Sequence, residues 1–130
     1  MTTLRIRPMV AILAATLVAG VLVSSAVASP VSHPRTPTRS TKVVEGIGAG
    51  RWSPTTVRIS PGDSIKWKAV SNQHTVTAFG GNWSFDQNLS IGHPVTFRFT
   101  HAGTYHFRCR FHSSLVNGVC SGMCGKVVVS

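Results

Sequence analysis

From Thr56 onward, apolar and polar residues alternate with a period of two, the spacing of a strand with one buried face. Val57 and Ile59 point one way while Thr56, Arg58 and Ser60 point the other. Pro61-Gly62-Asp63 then forms a turn, and Ile65, Trp67 and Ala69 alternate with Ser64, Lys66 and Lys68. Val95, Phe97 and Phe99 repeat the pattern against Thr96, Arg98 and Thr100. After the turn His101-Ala102-Gly103, so do Tyr105, Phe107 and Cys109 against His106 and Arg108. Lys126-Val127-Val128-Val129 reads as a final strand. No window carries a capped amphipathic helix, and turn signals recur at short intervals, so the chain is expected to be all-β, an antiparallel sandwich or barrel. The same alternation puts Arg58, Lys66, Lys68, Arg98 and Arg108 on solvent faces, where charge solvates strands and protects edges.

The N-terminal region follows a different rule. Arg5 and Arg7 precede an apolar run from Met9 to Val23, and Ala26-Val27-Ala28 follows. A positive start, an apolar middle and a small-residue exit are the three parts of a secretory signal, here residues 1–28, with cleavage after Ala28. The apolar run comes near the lower limit for spanning a bilayer, which leaves an uncleaved anchor as the alternative; no span remains after cleavage. Residues 29–41 carry Pro30, Pro34 and Pro37 among hydroxyl residues, with Val31 the one bulky apolar side chain, and are expected to form a disordered linker. The folded unit is then 42–130.

Charge adds a constraint on partners. Thirteen Lys and Arg stand against three acids among 130 residues, a formal net charge of +10. Signal cleavage removes only Arg5 and Arg7, so the exported chain remains strongly basic. Such a balance favours acidic partners or anionic surfaces. Nothing resembles a nucleic-acid module, and an exported chain seldom meets nucleic acid, so no such partner is expected.

The chemistry-bearing residues are soft ligands. Cys109, His112 and Met123 fall in what reads as the connection before the last strand, and His74 opens an earlier strand after the polar turn Ser71-Asn72-Gln73. Two imidazoles, a thiolate and a thioether suit one copper ion, since the sulfur ligands favour Cu(I) and imidazole accepts both oxidation states. Zinc would prefer more thiolates or another histidine. Singly, each residue has a plainer reading: a loop histidine, a core methionine, a buried inert thiol. The remaining histidines, His33, His93, His101 and His106, sit in the linker, before a proline, in a turn and on an outward strand position, and none is assigned to metal.

Around these residues the sequence resembles the cupredoxins, the plastocyanin-like type 1 blue copper proteins. The resemblance spans nearly all of 43–130: Trp52-Ser53-Pro54, Val57-Arg58-Ile59, Pro61-Gly62-Asp63-Ser64-Ile65-Lys66-Trp67 and His74-Thr75-Val76 in the first half. In the second half it rests on Phe97-Arg98-Phe99-Thr100, Gly103 to Cys109, His112 and Gly122-Met123-Cys124-Gly125-Lys126-Val127. It implies a Greek-key β-sandwich, with His74, Cys109 and His112 binding copper in near-planar fashion and Met123 as a long axial contact. It also implies single-electron transfer to and from a redox partner protein, and His112 near the surface as the route for electrons. The histidine distribution offers no evident further copper site, so no enzymatic activity is expected, and a monomer is expected as the working form.

One departure stands out. Ten residues, Ser113 to Gly122, separate His112 from Met123, where plastocyanin-like relatives have only a few; they are expected to bulge outward and leave Met123 in place. Beyond Cys109 the chain has an even pair, Cys120 and Cys124, which in an exported protein suggests a disulfide. The alternative is a thiolate-rich Cu(I) or zinc site of Cys109, Cys120, Cys124 and His112, for storage or delivery without electron transfer. It leaves the upstream match at His74 unexplained.

Overall fold

The structure, a computed structural model, describes residues 36, 38–48 and 50–130. The expected export signal, and the linker apart from residues 36 and 38–41, lie outside the described residues. The described residues form nine strands: β1 (Thr41–Ile47), β2 (Arg51–Ser53), β3 (Thr56–Ile59), β4 (Ser64–Ala69), β5 (His74–Phe79), β6 (Asp86–Leu89), β7 (Val95–Arg98), β8 (Gly103–Val116) and β9 (Val119–Val129). Among the described residues no helix is long and apolar enough to cross a membrane.

The strands make two sheets, ordered β2-β1-β4-β7 and β3-β9-β8-β5-β6. The sheets are mixed rather than purely antiparallel as expected: pairing is parallel between β1 and β4 and between β3 and β9, whose strands are joined through the other sheet, and antiparallel elsewhere. Consecutive strands repeatedly change sheet, as β3 to β4, β4 to β5 and β6 to β7 do, which produces the Greek-key sandwich the resemblance implied, where the alternation pattern had left sandwich or barrel open. Between the sheets lie Val57, Ile59, Ile65, Trp67, Ala69, Phe99, Tyr105 and Phe107, all inward positions of the sequence pattern. The fully buried Trp67 meets Phe107 edge-on, with ring centroids 5.4 Å apart, and so ties the first sheet to the strand that carries Cys109. Burial of an aromatic of this size is worth about 3 kcal/mol, and edge-on pairing adds about 1 kcal/mol.

The longest strands differ from expectation. Cys109, His112 and Met123 do not lie in a connection: β8 runs on to Val116 and β9 begins at Val119, so all three sit on strands. The segment expected to bulge is the outer half of an antiparallel hairpin, pairing Ser113 with Gly122 and Val116 with Val119. Asn117 and Gly118 close it with φ of 50° and 77°. Two successive positive φ values are what a two-residue hairpin turn with the strands' own twist demands, and Asn-Gly meets that demand best.

The basic residues follow the alternation with a correction. Arg58, Lys68 and Arg98 are exposed, but Lys66 and Arg108 are half-buried. The Nε of Arg108 is buried with no hydrogen-bond partner among the described residues, so this arginine is not ordinary solvated charge.

Candidate metal centre

His74 is fully buried although it begins a strand. Its Nε2 lies 2.8 Å from the carbonyl oxygen of Ser71, an acceptor only, so Nε2 carries the proton and Nδ1 is left as the free donor atom. Burial pushes the imidazole pKa below its usual value; the Ser71 carbonyl opposes this, and His112 lowers it further. The neutral ring is the form that ligates metal. Backing the ring is Gly46 of β1, where a Cβ would stand 2.7 Å from the imidazole Cδ2. Trp52 lies against the ring, with centroids 5.9 Å apart, and donates its Nε1–H to the Met123 carbonyl at 3.1 Å.

Cys109 and His112 occupy an irregularity in the β8–β9 ladder. Arg108 pairs with Cys124 and Ser113 pairs with Gly122, so the four residues 109–112 face a single residue, Met123. Such a bulge bends its strand and re-aims side chains. Here it turns both Cys109 and His112 toward His74. The Cys109 sulfur is 3.4 Å from His112 Nδ1 and 3.8 Å from His74 Nδ1, and the two nitrogens are 3.2 Å apart. The three ligand atoms lie within 4.8 Å of one another, the group of metal-binding side chains found among the described residues. Cys109 is fully buried, while His112 is half-buried.

The bulge is fastened at several points. The backbone N–H of Thr75 points at the Cys109 sulfur, 3.3 Å away, and Ser113 Oγ donates to the Cys109 carbonyl at 2.5 Å. Thr75 Oγ1 accepts the Arg110 backbone N–H at 2.8 Å. Because Thr77 donates its hydroxyl proton to Asp86 at 2.8 Å, Thr75 is the donor in the 3.0 Å contact between the two threonine hydroxyls. Asp86 in turn pairs with the Arg110 guanidinium at 3.3 Å. These interactions tie Thr75, Thr77, Asp86 and Arg110 into one unit beside the sulfur. The sequence reading had missed all four, since nothing in their spacing distinguishes them from ordinary strand surface.

Met123 is buried and faces the bulge in register. The chain around it is folded back: Cys120 and Cys124 form a disulfide with Cα atoms 6.2 Å apart, whereas four residues of extended strand span about 13 Å. Gly122, with φ +93°, takes up the reversal, and a Cβ there would strike the His112 carbonyl oxygen. The disulfide overturns the thiolate-rich site of Cys109, Cys120, Cys124 and His112, because it leaves Cys109 as the free thiol. His93, His101 and His106 stand apart from the cluster.

The donor set fits copper on chemical grounds: two imidazoles and a cysteine sulfur brought together, with the buried Met123 opposite the bulge that carries two of them. A hydrogen bond fixes the tautomer of one ligand, and a backbone N–H approaches the sulfur of another, as supporting contacts around metal ligands commonly do.

No family model matches the sequence, and no curated protein does either. Solved structures do match. A reduced-state mutant of amicyanin superposes with a TM-score of 0.56 at 24% identity, covering 69% of this chain and 82% of that one. A purple cupredoxin from Nitrosopumilus maritimus gives 0.52 at 22% identity, over 68% of this chain and 99% of that chain. A copper-containing nitrite reductase from Thermus scotoductus gives 0.57 at 18% identity, but 69% of this chain matches only 22% of that one. The fold is therefore that of the cupredoxins.

Proposed function

We propose that this chain is an exported type 1 copper protein that carries single electrons, with His74, Cys109, His112 and Met123 holding one copper ion. The observation that carries the reading is the cluster of two imidazole nitrogens and a thiol sulfur within 4.8 Å, built on a cupredoxin fold. Bound there, copper supplies the one-electron Cu(II)/Cu(I) couple. The protein's part is to hold the ligands still. His74 is clamped between Gly46, Trp52 and the Ser71 carbonyl, and the Thr75 amide and the Ser113 hydroxyl hold Cys109. A fixed ligand set suits both oxidation states with little rearrangement, and that favours fast transfer.

Met123 as the axial ligand is supported by its burial and by its place as the one residue opposite 109–112. His112 is the half-buried member of the set and so the natural exit for electrons, beside the exposed Phe111. Two of the three acids are engaged, Asp63 by the amides of Ser40 and Ser60 and Asp86 by Arg110 and Thr77. The surface therefore presents mainly positive charge, and an acidic redox partner protein fits it. Electron carriage is favoured over catalysis because the match to the nitrite reductase covers only a small part of that enzyme.

The test is stopped-flow electron transfer between the copper-loaded protein and acidic and basic redox proteins across a range of ionic strength. The reading expects reversible one-electron cycling, and a rate with the acidic partner that falls as salt rises. Copper that cannot be cycled overturns it.

A further inference from the structure

The Arg108 guanidinium is a half-buried cation without an anion. No carboxylate lies within ion-pairing distance among the described residues, Nε has no partner, and Nη1 reaches only Ser113 Oγ at 3.5 Å. Directly opposite it in the β8–β9 ladder is Cys124. Paired positions on adjacent strands share a face with Cβ atoms about 5 Å apart, so the Arg108 and Cys124 side chains leave the sheet side by side on one face. On the same face, His106 pairs with Lys126. These two, with Phe79 and Val119, line an open cleft of about 460 Å³ whose wall includes both Cys120 and Cys124. The disulfide is half-buried, in a cleft edged by the Lys126 ammonium.

We infer that the Cys120–Cys124 disulfide is a thiol–disulfide exchange site for a small anionic thiol, which enters the cleft, attacks the Cys120 sulfur and displaces Cys124 toward Arg108. The incoming thiolate forms a mixed disulfide with Cys120, the Cys120–Cys124 bond breaks, and Cys124 departs as a thiolate that supplies the anion Arg108 lacks. Exchange is faster when the leaving sulfur is stabilised as its anion, and the placement of Arg108 therefore selects Cys124 to leave. A second thiol then attacks the mixed disulfide at the sulfur of the first and frees Cys120. Two small thiols have become one disulfide, and the protein has gained two electrons and two protons. Opening the ring also unties the reversal at Gly122 that holds Met123 opposite the bulge; that consequence rests on the copper reading above, whereas the exchange does not.

The test incubates the metal-free full chain with glutathione, quenches with acid and maps adducts by peptide mass. The expected result is a glutathione adduct on Cys120, formed about fivefold faster than the adduct of the cationic thiol cysteamine, the scale of a unit charge a few ångströms away in a water-rich setting. Arg108→Gln should slow the reaction by a similar factor, while Arg108→Lys should largely restore it. An adduct on Cys124, no adduct at all, or equal rates for the two thiols overturns the proposal. If Arg108→Gln does not fold, the adduct position and the thiol preference in the native chain decide the matter alone. For the consequence at Met123, the copper-loaded double variant Cys120→Ser, Cys124→Ser should show a visible spectrum shifted from the native one. An unchanged spectrum overturns the coupling, and a native protein that binds no copper overturns the metal reading while leaving the exchange result intact.

Discussion

The backbone amide of Thr75 and the sulfur of Cys109 lie 3.3 Å apart across the β5–β8 pairing, while the hydroxyl of the same threonine accepts the amide of Arg110. One buried residue on β5 thus fixes the cysteine on β8 from both sides, through its backbone and through its side chain. Thr75→Val keeps the shape and the amide but leaves the Arg110 N–H without its acceptor. A stability loss of about 1–3 kcal/mol is expected in denaturant unfolding, the cost of an unsatisfied part-buried donor.

Gly46 carries no functional group, yet its lack of a side chain makes room for His74. Gly46→Ala places a methyl carbon within 2.7 Å of the imidazole Cδ2 and must move the ring. Competitive titration against a copper chelator should show copper affinity reduced by about tenfold or more, the scale of lost ligand positioning. Unaltered affinity would mean that His74 is not held by this contact.

Much of this was legible in the sequence because strands with one buried face write their period into the chain. Val57, Ile59, Ile65, Trp67, Phe99, Tyr105 and Phe107 announced both the fold and its core, and Cys109 continued the same inward series. The strands that escaped notice have weak patterns. β2 is three residues long, and β6 reads Asp-Gln-Asn-Leu with only Leu89 buried, as a polar edge strand should. In β1 the alternation is broken by Gly46, which serves His74 rather than the sheet. The hairpin beyond His112 did carry a signal, since Asn117-Gly118 between Leu115-Val116 and Val119 is the strongest short-range mark of a two-residue turn. Treating the segment as extra length within a loop concealed it. The three candidate ligands on β5 and β8 can be named from residue type and family order, whereas the hydrogen bonds that aim them depend on register and have no sequence signature.

Acid should loosen the start of β1. The Asp63 carboxylate accepts the amides of Ser40 and Ser60, and these hydrogen bonds hold its pKa below the ordinary value of 3.8. A group with a lowered folded pKa stabilises the fold above its unfolded pKa, and that contribution disappears as pH falls through the folded value. Amide exchange at Ser40 and Ser60 should therefore stay slow from neutral pH down to about pH 4 and lose protection below it. Asp63→Asn should show weaker protection already at neutral pH.

Met123→Leu should retain copper and colour with a raised reduction potential, because loss of a weak thioether donor disfavours Cu(II). Voltammetry of the two proteins measures the difference directly. An unchanged potential would remove Met123 from the ligand set, despite its position opposite residues 109–112.

The central claim, a copper ion bound through the Cys109 thiolate, is tested most directly by the visible absorption of the Cu(II)-loaded chain before and after Cys109→Ser. An intense blue sulfur-to-copper charge-transfer band at one equivalent of copper, abolished by the substitution, is the expected result. A native protein that binds Cu(II) without such a band, or a Cys109→Ser variant that keeps it, would contradict the account.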